Sequence, residues 1–504
     1  MSLHKEAYQA LESILGNENI SEDPAICEAD LKGGSGEFIF DANAVRPACV
    51  VLPKSTEEVR DVVKIANRYR LPYIPVSTYY IGLCAPSLPD TIIIDLKRMD
   101  RLEIDEKNMY AICESGVCFS QLQAEAFKLG LQTMTPGCGS QASVVANTAV
   151  HGMGPFGYRL GSAYRRILGT EWVLPDGEVL GLGSLSFSPE DYFWGEGPGP
   201  DLRGILRGMT GPMGGLGVIT RMAVKLFPFV PEPPKPSGTS PYTRLNLPTN
   251  RMKWFHLTYA TPEQAVSAMY EMARSEIGTM AMTVPPLFRY IARARGKGAN
   301  AFWEAWAKAK DKIDPRETIV RILLVGYTSD KQLAYEEAVL HDIATETGAT
   351  IAEARPSDES WIMSADAISV YFFGGVYMPA DVSLDSLNQG LKVGQSTAAL
   401  KKSRTPPLGE DYGYPGWLQL QELGHSSYLE FLAFAGLEDV EQLAALSQDC
   451  VQRDIDIGAY PVYQDPTVFG PKWQDYHHII AEVKKTFDPN GVSNPPRPMK
   501  LMLE

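Results

Sequence analysis

Much of what would assign this 504-residue chain quickly is missing from it. Its seven cysteines are scattered without a C-x-x-C pair, and the nearest two, Cys113 and Cys118, are separated by strand-like residues. A disulfide framework or a zinc cage needs tighter sets, so a reduced, cytoplasmic protein is expected. The seven histidines are equally dispersed; His477 and His478 adjoin but point to different sides of a helix, and no metal site is expected. No apolar run approaches a membrane span, and the start, MSLHKEAYQALESILG, lacks the apolar core of a signal peptide. Positive charge is in deficit, 46 Lys and Arg against 61 Asp and Glu, which argues against a nucleic-acid surface. No G-x-S-x-G elbow follows a strand, so a serine-nucleophile triad is not suggested. The G-x-G-x-x-G of a standard dinucleotide site is absent after the first strand; Gly214, Gly215 and Gly217 precede a strand instead of opening a helix.

What remains is an ordinary globular composition, 44% hydrophobic and 21% charged, on a chain long enough for two or three domains. An amphipathic helix over about 3–15 leads to a short apolar strand at 48–53. Ser55 and Glu58 form a capping box, and Val59, Val62, Val63 and Ala66 recur at helical spacing behind it. Strands follow at 71–77 and 91–96, then a strand at 110–117 and a helix at 120–129; the opening strand–helix–strand reads as a small α/β unit. Pro175-Asp176-Gly177 joins two strands as a hairpin, and the glycine-rich segment 208–219 runs into a strand at 220–227. Seven prolines between Pro228 and Pro248 mark a boundary. Beyond it, strands at 253–259, 318–326, 370–378 and 428–434 are each followed by helical sequence, the first two through the capping pairs Thr261–Gln264 and Ser329–Gln332, a second domain with one sheet covered by helices. A helix over 475–487 ends at the turn Asp488–Gly491.

One stretch stands apart. Thr135–Gly154, TPGCGSQASVVANTAVHGMG, is small and apolar with no clean helical or strand period. Its four glycines permit close backbone approach, so it fits either a buried turn or a wall of N–H groups facing a ligand. The loop PVSTYYIG, 75–82, is a further candidate for phosphate binding through its backbone. A basic run, Arg289, Arg293, Arg295 and Lys297, continues through Trp303, Trp306, Lys308, Lys310 and Lys312; it reads as a solvated helix face, or more sharply as a docking patch for an acidic redox partner.

Together these pieces resemble the FAD-dependent oxidoreductases typified by vanillyl-alcohol oxidase and the flavoprotein subunit of p-cresol methylhydroxylase. Pro75–Thr78 matches the family's PVST pyrophosphate loop and Ile92–Met99 the strand after it. Cys113–Val117 matches its E-P-G-V turn, and Asn147, Gly152 and Gly154 its N-x-x-x-x-G-x-G segment. Gly169–Gly177 and Gly214–Thr220 fit its later sheet, and Phe487–Pro498 its C-terminal turn back to the flavin. The resemblance implies an α+β protein: a two-part FAD-binding domain (1–229, with 465–504 returning to it) and a central α/β cap over 230–464, an antiparallel sheet covered by helices. The cofactor implied is FAD, noncovalent because no histidine lies in the 75–82 loop, with Tyr377 the one speculative tether. Its binding residues would be Pro75, Val76, Ser77, Thr78, Gly82, Pro136, Gly137, Gly139, Ser140, Asn147, Gly152, Gly154, Ile219 and Asn494.

The departures shape the substrate expectation. Where phenol-oxidising members carry G-Y-G-x-Y-R, this chain reads GAYPVYQ, keeping Tyr463 but placing Gln464 where the Arg would be. A neutral amide stabilises a phenolate less well than a guanidinium. Cys138–Ser140 offers no acid where oxidase members have one. The expectation is therefore oxidation of an alcohol or activated C–H, aryl or benzylic but not para-phenolate, with hydride passing to flavin N5. Tyr460, Tyr463, Gln464 and His425 are the catalytic candidates, and His151 is the other histidine inside the flavin-facing stretch. The alternatives are a 2-hydroxy-acid dehydrogenase of glycolate or D-lactate type, which would want a cationic clamp for the carboxylate, and a non-catalytic FAD-binding electron-transfer subunit. Expected partners are a small alcohol or aromatic substrate and a redox protein such as a cytochrome, with no nucleic acid or membrane; relatives imply a homodimer.

Overall fold

A computed structural model describes residues 3–32, 44–79, 84–133, 136–137, 139–187, 194–208, 211–229, 231–232, 235–237, 244–246, 250–283, 285–287, 299–354, 376–436, 439–460 and 475–495. The first unit is a sheet of strands β1 (Ile20–Ser21), β2 (Cys49–Val51), β3 (Tyr73–Val76) and β4 (Ile92–Asp95) in the order β1-β2-β4-β3. β2 and β3 both pair parallel with β4, so the helix Thr56–Tyr69 is a crossover between parallel strands. Ser55 caps it by accepting from Glu58 N at 3.3 Å. Glu58 reaches one residue past the expected box, accepting from Lys54 N at 2.8 Å. Val59, Val62, Val63 and Ala66 are buried as their spacing predicts, against the helix Lys5–Leu15 and the sheet.

The next strands, β5 (Leu102–Asp105), β6 (Tyr110–Glu114), β7 (Leu131–Gln132), β8 (Ile167–Val173), β9 (Val179–Leu182) and β10 (Val218–Lys225), build an antiparallel sheet β5-β6-β10-β8-β9 from which only β7 is apart. The hairpin β8–β9 turns at Gly177, φ +85°, where a Cβ would fall 2.5 Å from Lys64 on the crossover helix. β10 begins two residues before the expected 220, because Ile219 already pairs with Trp172. The proline-rich boundary carries short extended pieces: β11 (Phe227–Pro228) pairs with β7, and β12 (Lys235–Ser237) with β13 (Arg244–Asn246).

The middle of the chain forms a seven-stranded antiparallel sheet from β14 (Met252–Tyr259), β15 (Met280–Thr283), β16 (Thr318–Val325), β17 (Thr350–Ala354), β18 (Val376–Asp385), β19 (Trp417–Gln421) and β20 (Ser426–Ala435), in the order β17-β14-β16-β15-β19-β20-β18. Its helices start where the sequence marks them: Thr261 accepts from Gln264 N, and Ser329 from Gln332 N. One face of the sheet packs under the helices Pro262–Arg274, Asp330–Thr347 and Leu387–Lys402. The other packs Trp254, Met280, Met282 and Leu323 against Phe156, Ala163 and Phe229 of the N-terminal part. Both faces are covered, which is why all eight residues of β16 are buried.

Three readings change. The expected strand at 370–378 lies outside the described residues as far as 375, and β18 runs on to Asp385. In the basic run, 289–297 also lies outside them; the helix Ala299–Lys310 buries Phe302 and Trp306, and Trp306 Nε1 donates to Glu410 O at 2.7 Å. That tryptophan is core, not docking surface. Third, the stretch without period contains a helix, Val144–Ala149, capped by Ser143, whose Oγ accepts from Ala146 N at 3.1 Å. Six residues are too few for a helical period to show. Finally, the helix Asp475–Phe487 brings the tail back: Phe487 stacks on Trp172 with centroids 5.4 Å apart, and Ser493 bridges in parallel to Tyr73. Among the described residues no helix is long and apolar enough to cross a membrane.

Candidate active site

Pro75 and Val76 end β3, and Ser77 and Thr78 open the loop beyond it. Loops at the carboxyl ends of parallel strands are where α/β sheets bind ligands. The glycine-rich segment lies against this point: at Gly214, φ +75°, a Cβ would fall 2.6 Å from the Pro75 ring. Residues of the tail fix that segment. Asn494 Nδ2 donates to Met213 O at 2.6 Å, Ser493 Oγ to Gly214 O at 2.7 Å, and Gly217 N to Ser493 Oγ at 2.8 Å. Lys484 Nζ, sealed from solvent, donates to Gly215 O at 2.6 Å, to Asp488 Oδ2 at 2.6 Å and to Ser493 O.

The stretch 136–154 folds back on itself beside this loop. Gly139 N donates to Pro136 O at 3.0 Å, Ser120 N to Ser140 O at 2.8 Å, and Gly137 N to Met153 O at 2.8 Å, which ties the two ends together. Gly152 N donates to Asn147 O at 2.6 Å; a Cβ there would fall 2.0 Å from Asn147 Oδ1, so a larger residue would displace the Asn147 amide. Ser115 joins this stretch to β10, accepting from Ser143 Oγ at its carbonyl while its own hydroxyl donates to Ile219 O. Gly211 presses on Ala149 O and so links the stretch to the loop at Pro75. From the central sheet, Gln419 Nε2 donates to Gly154 O at 2.7 Å. The expected Pro75, Val76, Ser77, Thr78, Pro136, Gly137, Gly139, Ser140, Asn147, Gly152, Gly154, Ile219 and Asn494 are thus linked in one connected region.

The catalytic candidates fare differently. Tyr463 and Gln464 lie outside the described residues, as do the cofactor candidate Gly82 and the neighbouring Cys138 of the 136–154 stretch. His425 is not on a strand: Leu423 (φ +54°) and Gly424 (φ +89°) turn the chain between β19 and β20 and leave His425 exposed. A base that meets solvent there is poorly placed to serve a site inside the sheet junction. Tyr460 is half-buried after the helix Val440–Ile457; burial first, then neighbouring Tyr476, pushes its phenol up to about 12.

At the junction between these two parts lie polar groups of which Asn147 and His151 were expected and Arg166, Gln421 and Glu422 were not. His151 takes a left-handed backbone (φ +61°), sits 5% exposed with its ring 4.0 Å from that of Tyr164, and neither ring nitrogen has a hydrogen-bond partner. Burial, then the charge of Arg165, drives its pKa down to about 4, so it is neutral near pH 7. Arg166 is 3% exposed; Nη1 donates to Thr133 Oγ1 at 3.0 Å, while Nε and Nη2 have no partner. Burial lowers its pKa to about 10, against the opposing pull of Glu422. That carboxylate accepts from Ser162 N and pairs with Arg165 at 3.3 Å. Gln421, fully buried against Gly157, has both amide atoms unpartnered, and so is Asn147 Oδ1. Buried polar groups without partners are costly, and a polar ligand or ordered water that satisfied them would recover that cost. The one sequence signal was Arg165-Arg166 directly before an apolar strand.

These residues fit FAD. Left-handed glycines at 139, 214 and 217 turn the backbone beside β3, and the unpartnered atoms of Asn147 and His151 suit the polar edge of a heteroaromatic ring. A family profile described as "FAD binding domain" matches residues 47–183. The 4-cresol dehydrogenase [hydroxylating] flavoprotein subunit of Pseudomonas putida is 29% identical over 240 residues, 45% of this chain and 43% of that one. A crystal structure of p-cresol methylhydroxylase with substrate bound superposes with a TM-score of 0.72, covering 98% of this chain and 96% of that one at 18% identity, which speaks to the fold. Residues 47–183 are thus an FAD-binding domain, and over its length the chain is similar in fold to the p-cresol methylhydroxylase flavoproteins. It is an FAD-dependent oxidoreductase, with the expected α+β fold. The flavoprotein also resembles a D-lactate dehydrogenase of Archaeoglobus fulgidus, 24% identical over 464 residues that span 88% of this chain and 90% of the relative.

Proposed function

We propose that this flavoprotein oxidises a small hydroxylated substrate at the carbon bearing the hydroxyl, in the junction between the stretch 136–154 and the central sheet. The supporting observation is the group of buried, unpartnered polar side chains there, on the inner side of the residues that fit the cofactor. FAD, when bound, supplies the hydride acceptor at N5, and the chain supplies position and electrostatics. Ser77, Thr78 and the loop 213–217 would hold the phosphates through backbone N–H groups, with Lys484 and Asn494 fixing the loop. Neutral His151 would accept a hydrogen bond from the substrate hydroxyl and orient it. The packed junction of aromatic and apolar side chains around Phe156 and Trp254 would exclude water. We assign FAD as noncovalent and the parts as 1–229, 230–464 and 465–504.

The aryl or benzylic alcohol expected from the sequence rested on Gln464, outside the described residues. The D-lactate dehydrogenase likeness, running along almost the whole chain, favours a second reading, a 2-hydroxy acid. The cresol dehydrogenase relative is named as the flavoprotein subunit of its enzyme, which supports a separate electron-carrier protein as acceptor here. The test is anaerobic: the FAD-loaded protein is mixed with aryl alcohols and with 2-hydroxy acids, and flavin absorbance is followed. Bleaching by either class supports the reading; a flavin that stays oxidised with every member of both sinks it.

A further inference from the structure

Arg166 carries a positive charge into the junction and finds no carboxylate among the described residues within hydrogen-bonding reach. The acid whose charge it feels, Glu422, is engaged by Arg165 and by the Ser162 amide. Guanidinium is a planar fork of five donors, and here a single one is used, on the neutral hydroxyl of Thr133. His151, held neutral nearby, cannot compensate the charge, and Gln421 offers an unpartnered amide that can both donate and accept. A buried cation of this kind is costly unless an anion completes it, and the fork geometry suits a carboxylate bound through two oxygens.

We infer that Arg166 is the seat of a substrate carboxylate, and that the oxidised substrate is a small 2-hydroxy acid. The inference rests on the reading above that the reaction takes place at this junction. It supplies the cationic clamp that such a substrate needs. The diphosphate of FAD is the other source of an anion, and the experiment separates the two.

The probe is oxalate, a carboxylate that mimics a 2-hydroxy acid but has no C–H to give up. It is titrated into the oxidised FAD-loaded protein and followed by the shift of the flavin spectrum, with no turnover needed. The wild-type protein is expected to show a saturable shift. Arg166→Gln should weaken oxalate binding roughly 10- to 100-fold while FAD affinity is kept. Arg166→Lys, which keeps the charge but loses the fork, should fall between. Equal oxalate affinity in Arg166→Gln and wild type, or no shift in wild type, overturns the inference. So does a parallel loss of FAD affinity in Arg166→Gln, which would make the anion the cofactor's own. Because the titration reads binding alone, it remains decisive even if no alcohol or hydroxy acid reduces the flavin and the proposed reaction fails.

Discussion

Lys484 and Arg166 are both cations withdrawn from solvent, and the chain treats them in opposite ways. The lysine gives its protons to Gly215 O, Asp488 Oδ2 and Ser493 O, so charge and hydrogen bonding are both completed within the protein. The arginine keeps two of its nitrogens unpartnered and shares its nearest acid with Arg165. A buried charge with its counter-ion built in holds a chain together. One without it has been placed for something that arrives from outside. The difference separates scaffold from site more cleanly than burial does, since both residues are equally hidden.

Removing each charge tests that contrast at its widest. Lys484→Met leaves the Asp488 carboxylate buried and alone, and should cost about 3–5 kcal/mol of stability in denaturant unfolding. Arg166→Met removes a charge that has no internal acid of its own, so it should be neutral or stabilising by about 1 kcal/mol in the ligand-free protein. Similar losses for both would collapse the distinction.

A third buried group in the central domain sharpens it further. Asp454 and Asp381 face one another inside the helix–sheet layer, where Thr397 donates to Asp381. Burial first, then the Asp381 charge, pushes Asp454 up to about 9. Between the ordinary carboxylate range and pH 9 the folded protein therefore binds more protons than the unfolded chain, so stability falls as pH rises through that window. The slope expected is at most about 1.4 kcal/mol per pH unit, and Asp454→Asn should flatten it in unfolding curves taken from pH 5 to pH 9. An unchanged slope would mean that this pair is not the source. The smallest effect belongs to the cap of the short helix beside Asn147: Ser143→Ala should cost about 1 kcal/mol. It should weaken FAD binding by less than about tenfold, read by flavin fluorescence. A larger loss of affinity would mean that the helix holds the cofactor directly rather than through Asn147 and Gly152.

What the sequence revealed and what it hid divide along the same line. Ser55, Thr261 and Ser329 were legible as helix caps because a cap is made with residues three positions away. The hairpin at Gly177 and the crossover between β2 and β3 were legible for the same local reason. The cofactor came through as an ordered series of motifs, each a backbone requirement written in glycine and proline. Arg166 was missed because its distinguishing property is a lack of partners, and that exists only once Thr133 and Glu422 have been brought to it from opposite parts of the chain. The exposed turn that carries His425 gave no local sign, because one of its left-handed positions is Leu423, and leucine seldom signals such a backbone. The short helix at Val144 was hidden by its length.

The last turn of the described chain has a consequence for the order in which the protein can be made. Asn494 N donates to Tyr73 O, and Ser493 and Asn494 hold the backbone of residues 213–217. During synthesis the parallel strands emerge early, but the loop over their ends has no fixed shape until residues hundreds of positions later have been translated and have returned to it. The shape of that loop is therefore set by contacts of very long sequence separation, which form late in folding and tie the two ends of the described chain together.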